Sequence, residues 1–253
     1  MVSFAEWRGL ARSIRVYRLD RTHHRAMDQM YRRFAGKGDI VFDVGAHVGD
    51  RIASFRRLGA RVVALEPQPV CARFLRLMHG RDSDVTLIEA AAGPTPGVHA
   101  MHVNTKNPTV STLSGDFVNA SAGAPGWEGQ EWDKQISIPV NSLDAMREQY
   151  GEPRFIKIDV EGFEADVLSG LSKAVPALSF EFTTIQRDIA YKCLNMCDAL
   201  GYGRYNIALG ESQTFSFDAP VSALAMRNHI ENLPPSANSG DVYAFADDWT
   251  ERN

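Results

Sequence analysis

Between Ile40 and Thr183 the chain alternates short, continuously apolar runs with stretches whose apolar residues recur at helical spacing. Ile40 to Val44, Arg61 to Leu65, Val85 to Ile88, Phe155 to Asp159 and Ala177 to Thr183 read as strands. Helices are expected over about 50–58, Pro69 to Met78, Ser142 to Tyr150, Phe163 to Leu171 and Ile189 to Leu200. Strands without a polar face, separated by helices, predict a parallel sheet covered on both sides. The alternation breaks in the middle. Residues 97–103 and 135–140 read as strands, and the stretch 104–133 between them, rich in Gly, Ser, Asn and Pro, reads as a long structureless loop. Such a loop inside a compact domain marks function or mobility, so 104–133 is a candidate lid or substrate-recognition insert. Beyond residue 200, strands near 203–208, 213–217 and 241–246 and a short helix around 222–231 suit an antiparallel hairpin at one sheet edge.

Two helices are expected before the turn signal Gly36-Lys37-Gly38-Asp39. This divides the chain into an N-terminal helical extension, 1–37, and a main domain, 38–253. The extension is also where charge changes the picture. It carries nine Arg or Lys against Glu6, Asp20 and Asp28, while the whole chain has a net charge of −4. Phe4, Trp7, Ala11 and Ile14 recur at helical spacing, with Arg8, Arg12 and Arg15 beside them. Either this helix packs its aromatic face on the domain, or it rests on an anionic membrane or polyanionic substrate. No apolar stretch approaches the roughly 20 residues that span a bilayer. The start, Met1 to Trp7, lacks the basic-then-apolar order of a secretory signal, so the cytoplasm is the expected compartment. Three cysteines are too few for a disulfide framework. Cys193 and Cys197, four apart on a helical pattern, are expected to be buried on one face.

The chemistry sits at three strand ends. Asp43-Val44-Gly45-Ala46-His47-Val48-Gly49 has the spacing D-x-G-x-x-x-G at a strand-to-helix turn, where glycines admit close approach of a ligand. A dinucleotide fingerprint needs G-x-G-x-x-G. A carboxylate at the strand end also suits a cation better than a diphosphate. Glu66, in Leu65-Glu66-Pro67, ends the next strand 23 residues after Asp43, where an acid accepts hydrogen bonds from ribose hydroxyls. In Phe155-Ile156-Lys157-Ile158-Asp159-Val160-Glu161-Gly162-Phe163-Glu164, a buried strand delivers Asp159 to the edge where ligands bind in open α/β folds. Glu161 and Glu164 fall in the first turn of the following helix, a position that favours acids for structural reasons as well.

These three segments, in this order, resemble the FkbM family of S-adenosylmethionine-dependent methyltransferases, whose hallmarks are a D-V-G-A-N-x-G turn, an E-P strand end and a K-I-D-V-E-G-x-E segment. The resemblance runs from about Ile40 to Thr183, with weaker echoes at Glu89 to Gly93 and Val140 to Asp144. His47 stands where the family usually has Asn. The resemblance implies a Rossmann-like class I methyltransferase fold, with a mostly parallel seven-stranded sheet, an antiparallel edge hairpin and helices on both faces. It also implies S-adenosyl-L-methionine as cofactor and methyl transfer to a hydroxyl of a sugar, polysaccharide or secondary metabolite. Asp43 and Gly45 would face the methionine portion, with His47 able to hydrogen-bond its amino-acid part. Glu66 would face the ribose, Glu89, Ala90 and Ala91 would flank the adenine, and Ala46 and Gly49 complete the expected cofactor-binding turn.

An alcohol must lose its proton as it attacks, which calls for a base or a metal ion. Asp159 is the first candidate, and Glu181, ending the next strand, the second. Together they are candidate oxygen ligands for Mg²⁺. Trp127 and Trp132 in the insert either stack on a sugar ring or anchor the loop. His23, His24, His99, His102 and His229 read as ordinary surface or core residues. Two other classes stay open, an NAD-dependent oxidoreductase and a non-catalytic S-adenosylmethionine-binding module. The acidic body of the chain, without a flipped-base segment, argues against nucleic acid as acceptor.

Overall fold

The computed structural model describes residues 4–18 and 20–252, without the side chains of Phe4, Ala5, Val16, Arg18 and Arg21. In chain order the elements are α1 (Phe4–Arg18), α2 (Arg21–Tyr31), β1 (Ile40–Val44), α3 (Asp50–Arg57), β2 (Arg61–Leu65), α4 (Pro69–His79), β3 (Val85–Ile88), β4 (Ala91–Ala92) and β5 (Gly97–Val103). There follow α5 (Gly115–Ser121), β6 (Lys134–Asn141), α6 (Leu143–Tyr150), β7 (Phe155–Ile158), α7 (Glu164–Ser169), β8 (Ala177–Thr183), α8 (Arg187–Leu200), β9 (Tyr202–Leu209), α9 (Ala223–Asn232) and β10 (Ser239–Ala246). Seven strands form one sheet in the order β3-β2-β1-β7-β8-β10-β9, with β10 antiparallel to both its neighbours. This is the expected α/β class. A second sheet, β4-β6-β5, was not expected; β4 has only two residues and no pattern of its own.

The apolar strands separate two core layers by side-chain parity. Phe42 and Val44, Ile156 and Ile158, and Leu178 and Phe180 face one layer, together with Val167 and Leu168 of α7 and Ala190, Cys193, Leu194 and Cys197 of α8. Both cysteines are fully buried and unbridged, as their spacing suggested. Val41, Val62, Ala64, Phe155, Ala177, Tyr243 and Phe245 face the other, with Met27, Met30 and Tyr31 of α2, and Ile52 and Phe55 of α3. Phe34, just past α2, stacks between Phe155 at 4.6 Å and Tyr243 at 5.2 Å.

Three expectations are corrected. The stretch 104–133 is not structureless. It holds a 3₁₀ turn at Pro108–Val110 and helix α5, and Thr112 pairs with His102 through two backbone hydrogen bonds of 2.8 and 2.9 Å. The polar residues that read as looseness make the turns. Asn104 Oδ1 accepts from the N–H groups of Lys106 and Asn107, and Ser114 Oγ caps α5 by accepting from Phe117 N at 3.0 Å. Phe117, fully buried, packs edge-on to Trp127 and Trp132. Residues 213–217 are not a strand. Phe215 points into the aromatic layer and Asn206 Oδ1 accepts from Phe217 N, so the alternation there reflects packing and not a ladder. Helix α1 does pack on the domain, but through Leu10, Ile14 and Tyr17 against Val48, Val70 and Cys71. Trp7 is 48% exposed and Ala11 exposed, as are Arg8, Arg12 and Arg15. Phe4, expected on the same face, lies outside the described side chains, and Met1 to Ser3 outside the described residues.

Phe34 joins the α2 region to strands β7 and β10, so Phe34→Ala is expected to cost about 3–5 kcal/mol of unfolding free energy. A urea melt within 1 kcal/mol of the parent, roughly a surface substitution's effect, would refute that.

Candidate functional site

The site arises where one face of the sheet runs out of apolar residues. Along β1 the α2-facing row passes from Val41 to Asp43, and along β7 from Phe155 to Lys157. Along β8 it passes from Ala177 to Ser179 and Glu181, and along antiparallel β10 from Phe245 and Tyr243 to Asp241. Sheet register puts Asp43 beside Lys157, Lys157 beside Ser179, and Glu181 beside Asp241. Opposite this polar edge lies a cavity of about 410 Å³, a size within the roughly 300–1,000 Å³ of small-molecule sites.

Its floor is the turn after β1. Gly45 has φ of 88°, its N–H and that of Ala46 donate to Leu65 O, and Asp159 N donates to Val44 O at 2.9 Å. A Cβ on Gly45 would collide with the Asp159 carbonyl oxygen, so only glycine lets the turns after β1 and β7 meet. Glu66, 4% exposed, uses one oxygen to accept from His47 N at 2.7 Å and the other from Gln68 N at 2.8 Å. Both backbone donors favour the carboxylate, but burial prevails and pushes its pKa up to about 8. Asp43, 1% exposed, is pushed by burial up to about 7, and its Oδ2 is buried without a hydrogen-bond partner. Burial lowers His47 to about 4, so its ring is neutral at physiological pH.

The far wall carries the acids. Lys157 Nζ, on a residue 1% exposed, lies 3.1 Å from Asp159 Oδ2 and 2.8 Å from Asp241 Oδ1. Burial works to raise Asp159, but the charges of Lys157 and Arg51 overcome it and hold the carboxyl below its usual range. Glu161 and Glu181 are pushed well above theirs, by burial first and by the Asp159 charge second. Glu164 is a structural acid, accepting from Val160 N and Gly162 N to close the turn.

The roof is the insert and α1. Thr109 Oγ1 is 3.5 Å from His47 Nε2, Gln68 Nε2 donates to Pro108 O at 2.6 Å, and Gly9 of α1 packs directly on the Pro108 ring. Ser13 Oγ lies 3.4 Å from Thr109 Oγ1, and Lys134 pairs with Glu6 at 2.9 Å. Trp127 lines the cavity, whereas Trp132 anchors the insert, its Nε1 donating to Val110 O.

Of the residues singled out in the sequence, Asp43, Gly45, Ala46, His47, Glu66, Ala90, Ala91, Asp159 and Glu181 all line this cavity. Gly49 and Glu89 do not. Gly49, at φ of 73°, caps α3 and packs under Leu75, while Glu89 turns to Arg76 on the outer surface. Lys157, Asp241, Tyr17 and the Arg51–Glu211 pair (3.1 Å) also line it and were missed. A lysine inside the apolar run Phe-Ile-Lys-Ile was the available signal, since it demands buried carboxylates. Asp241 and Glu211 carry no local signal.

Residues 43–217 match the Methyltransferase FkbM domain. The chain belongs to the FkbM methyltransferase family. The oxidoreductase reading of the glycine turn falls with that assignment. The hexuronic acid methyltransferase AglP of Haloferax volcanii is 28% identical over 160 residues, which make up 61% of this chain and 59% of that protein. The match thus spans about three fifths of that relative's length. Among solved structures, the chain is similar to a putative O-methyltransferase from Klebsiella pneumoniae, with a TM-score of 0.47, 9% identity and coverage of 96% of this chain and 90% of that one. It is also similar to a TehB-like S-adenosylmethionine-dependent methyltransferase from Corynebacterium glutamicum, with a TM-score of 0.46, 10% identity and coverage of 93% and 94%. Among the described residues no helix is long and apolar enough to cross a membrane.

Lys157→Met leaves the buried Asp241 and the partly exposed Asp159 without their cation and is expected to cost about 3–5 kcal/mol. Adding Asp241→Asn should recover part of the loss. If the double variant melts no later than Lys157→Met, charge is not what holds the pair.

Proposed function

We propose that this chain transfers the methyl group of S-adenosylmethionine to a hydroxyl oxygen of a sugar or glycan. The observation that carries the reading is one cavity joining the glycine turn, Asp43 and Glu66 to Asp159 and Glu181 on the neighbouring strand ends. The residues fit the cofactor. Asp43 presents a buried, unpartnered oxygen suited to an ammonium or sulfonium, and the Glu66 oxygens keep a lone pair each for ribose hydroxyls. Ala90 and Ala91 offer a small, apolar wall for an adenine ring. Bound there, S-adenosylmethionine supplies a methyl carbon activated by the sulfonium, its C–S bond breaking as the new O–C bond forms.

What the chain must add is alignment and a place for the hydroxyl proton. Asp159 and Glu181 are the groups for the second task, as base or as holders of a cation. Asp159 is kept ionised by Lys157, and Glu181 faces the same space from β8. The relative that acts on a hexuronic acid supports a hydroxylated sugar acid as acceptor. Eight Asp or Glu line the cavity against two basic residues, Arg51 and Lys157. Transfer to a hydroxyl gives an ether as the expected product, and not a methyl ester.

Calorimetry with S-adenosylhomocysteine should show saturable binding, lost or weakened about tenfold or more in Glu66→Ala, roughly the value of one or two hydrogen bonds. Absence of binding would sink the reading. With binding in hand, labelled S-adenosylmethionine and a panel of uronic acids and neutral sugars test transfer; an alkali-labile product would reveal an ester. Asp43 must be ionised to hold the ligand's ammonium, and its carboxyl titrates at about 7. Affinity is therefore expected to rise about tenfold between about pH 6 and about pH 8, and Asp43→Asn should remove most of that rise, leaving the part due to Glu66, which titrates at about 8.

A further inference from the structure

Asp159, Glu161 and Glu181 converge on one point of the cavity wall, one carboxylate oxygen of each lying within 4.8 Å of the other two. Their partners do not account for them. Lys157 is engaged by Asp159 and Asp241, and Arg51 by Asp50 and Glu211 through its two terminal nitrogens, its Nε being buried without a partner. Glu161 is only 8% exposed, its carbonyl is pinned by Thr112 Oγ1 at 2.6 Å, and Lys157 acts on its carboxylate through space while paired with Asp159 and Asp241. Independently, Glu181 Oε2 is buried with no partner. Glu181 shares a hydrogen bond with Asp159, but neither it nor Glu161 forms an ion pair among the described residues, in a cavity already carrying Asp43, Glu66 and Asp241.

We propose that Asp159, Glu161 and Glu181 hold one divalent cation of the Mg²⁺ or Mn²⁺ class on the acceptor side of the cavity. The donor set is all oxygen, which selects hard cations over zinc or copper. Three protein ligands leave positions for water and for oxygens of an acceptor. For its role, though not for the binding itself, this rests on the methyl-transfer reading. A cation there lowers the pKa of a hydroxyl bound to it, and it lets an acidic sugar enter a cavity that would otherwise repel it. Glu161 becomes a ligand instead of only a helix-turn acid, and Asp159 shares its carboxylate between Lys157 and the cation.

The test uses the full chain freed of metal with a chelator. Mn²⁺ is titrated in, and the free ion followed by electron paramagnetic resonance, with S-adenosylhomocysteine binding measured on the same samples. One Mn²⁺ site is expected, displaced by excess Mg²⁺ and retained in saturating S-adenosylhomocysteine. Glu161→Gln and Glu181→Gln, near-isosteric variants checked for folding by circular dichroism, should each weaken it by about tenfold or more, the effect of losing one charged oxygen ligand. No site up to about 10 mM Mn²⁺, well past the weak end of oxygen-ligand sites, overturns the proposal, as do folded variants that bind like the parent. The acids then balance their charge with protons. If S-adenosylhomocysteine still binds in that case, only the cation is lost; if it fails to bind while Mn²⁺ does, it is the cofactor reading that falls.

Discussion

An ammonium group in the middle of a β-sheet needs its counter-charge at hand, and Lys157 sets that condition for the whole polar edge. Its strand is the fourth of seven, with neighbours on both sides, so no water-filled flank is available. One carboxylate comes from its own strand end, Asp159. The other comes from Asp241, and only an antiparallel strand supplies it. Parallel strands bring their carboxyl ends to the ligand edge, whereas β10 brings its beginning there. Because β10 is inserted between β8 and β9, an acid near its start lands level with the residues that finish the others. Asp159 thereby stays ionised and fixed in place, and the surplus negative charge falls on its neighbours.

The roof follows a different logic. No single element covers the cavity. The 3₁₀ turn at Pro108–Val110 is wedged between α1 and the glycine turn, and small or polar contacts hold it on each side. Gly9 allows the helix to approach the proline ring, and Gln68, next to Glu66, reaches the carbonyl of Pro108. The insert is therefore tied at one end to the segment that carries Glu66, and its Trp127 faces the cavity.

Much of this was legible in the sequence because its signals are local. Continuous apolar runs between helical stretches specified five parallel strands, and the strand-end positions of Asp43, Glu66, Asp159 and Glu181 followed from where those runs stop. Gly49 and Glu89 show the limit of reading by position. Both sit in the right segments, but Gly49 answers to Leu75 and Glu89 to Arg76, partners on another element. The insert misled because Asn, Ser and Thr are equally the residues of disordered loops and of capped turns, and the deciding contacts, Phe117 with Trp127 and Trp132, span the segment. Helix α1 misled through register. Its aromatic spacing suggested the buried face, but Leu10 and Tyr17, one row over, are the residues that meet α4 and the turn. Asp241 was beyond reach, since its role depends on an antiparallel insertion.

The position of β10 has a consequence for how the chain is made. β9 leaves the ribosome before β10, yet it touches the rest of the sheet only through β10. A nascent chain halted after Leu209 has its glycine turn, Glu66 and Asp159 in hand, while Lys157 lacks its second carboxylate and β8 has an open edge. An unpaired edge beside a buried charge is a surface that aggregates or recruits chaperones. Synthesis of residues 239–246 closes that edge and neutralises the lysine in a single event, so completion of the fold and completion of the site coincide.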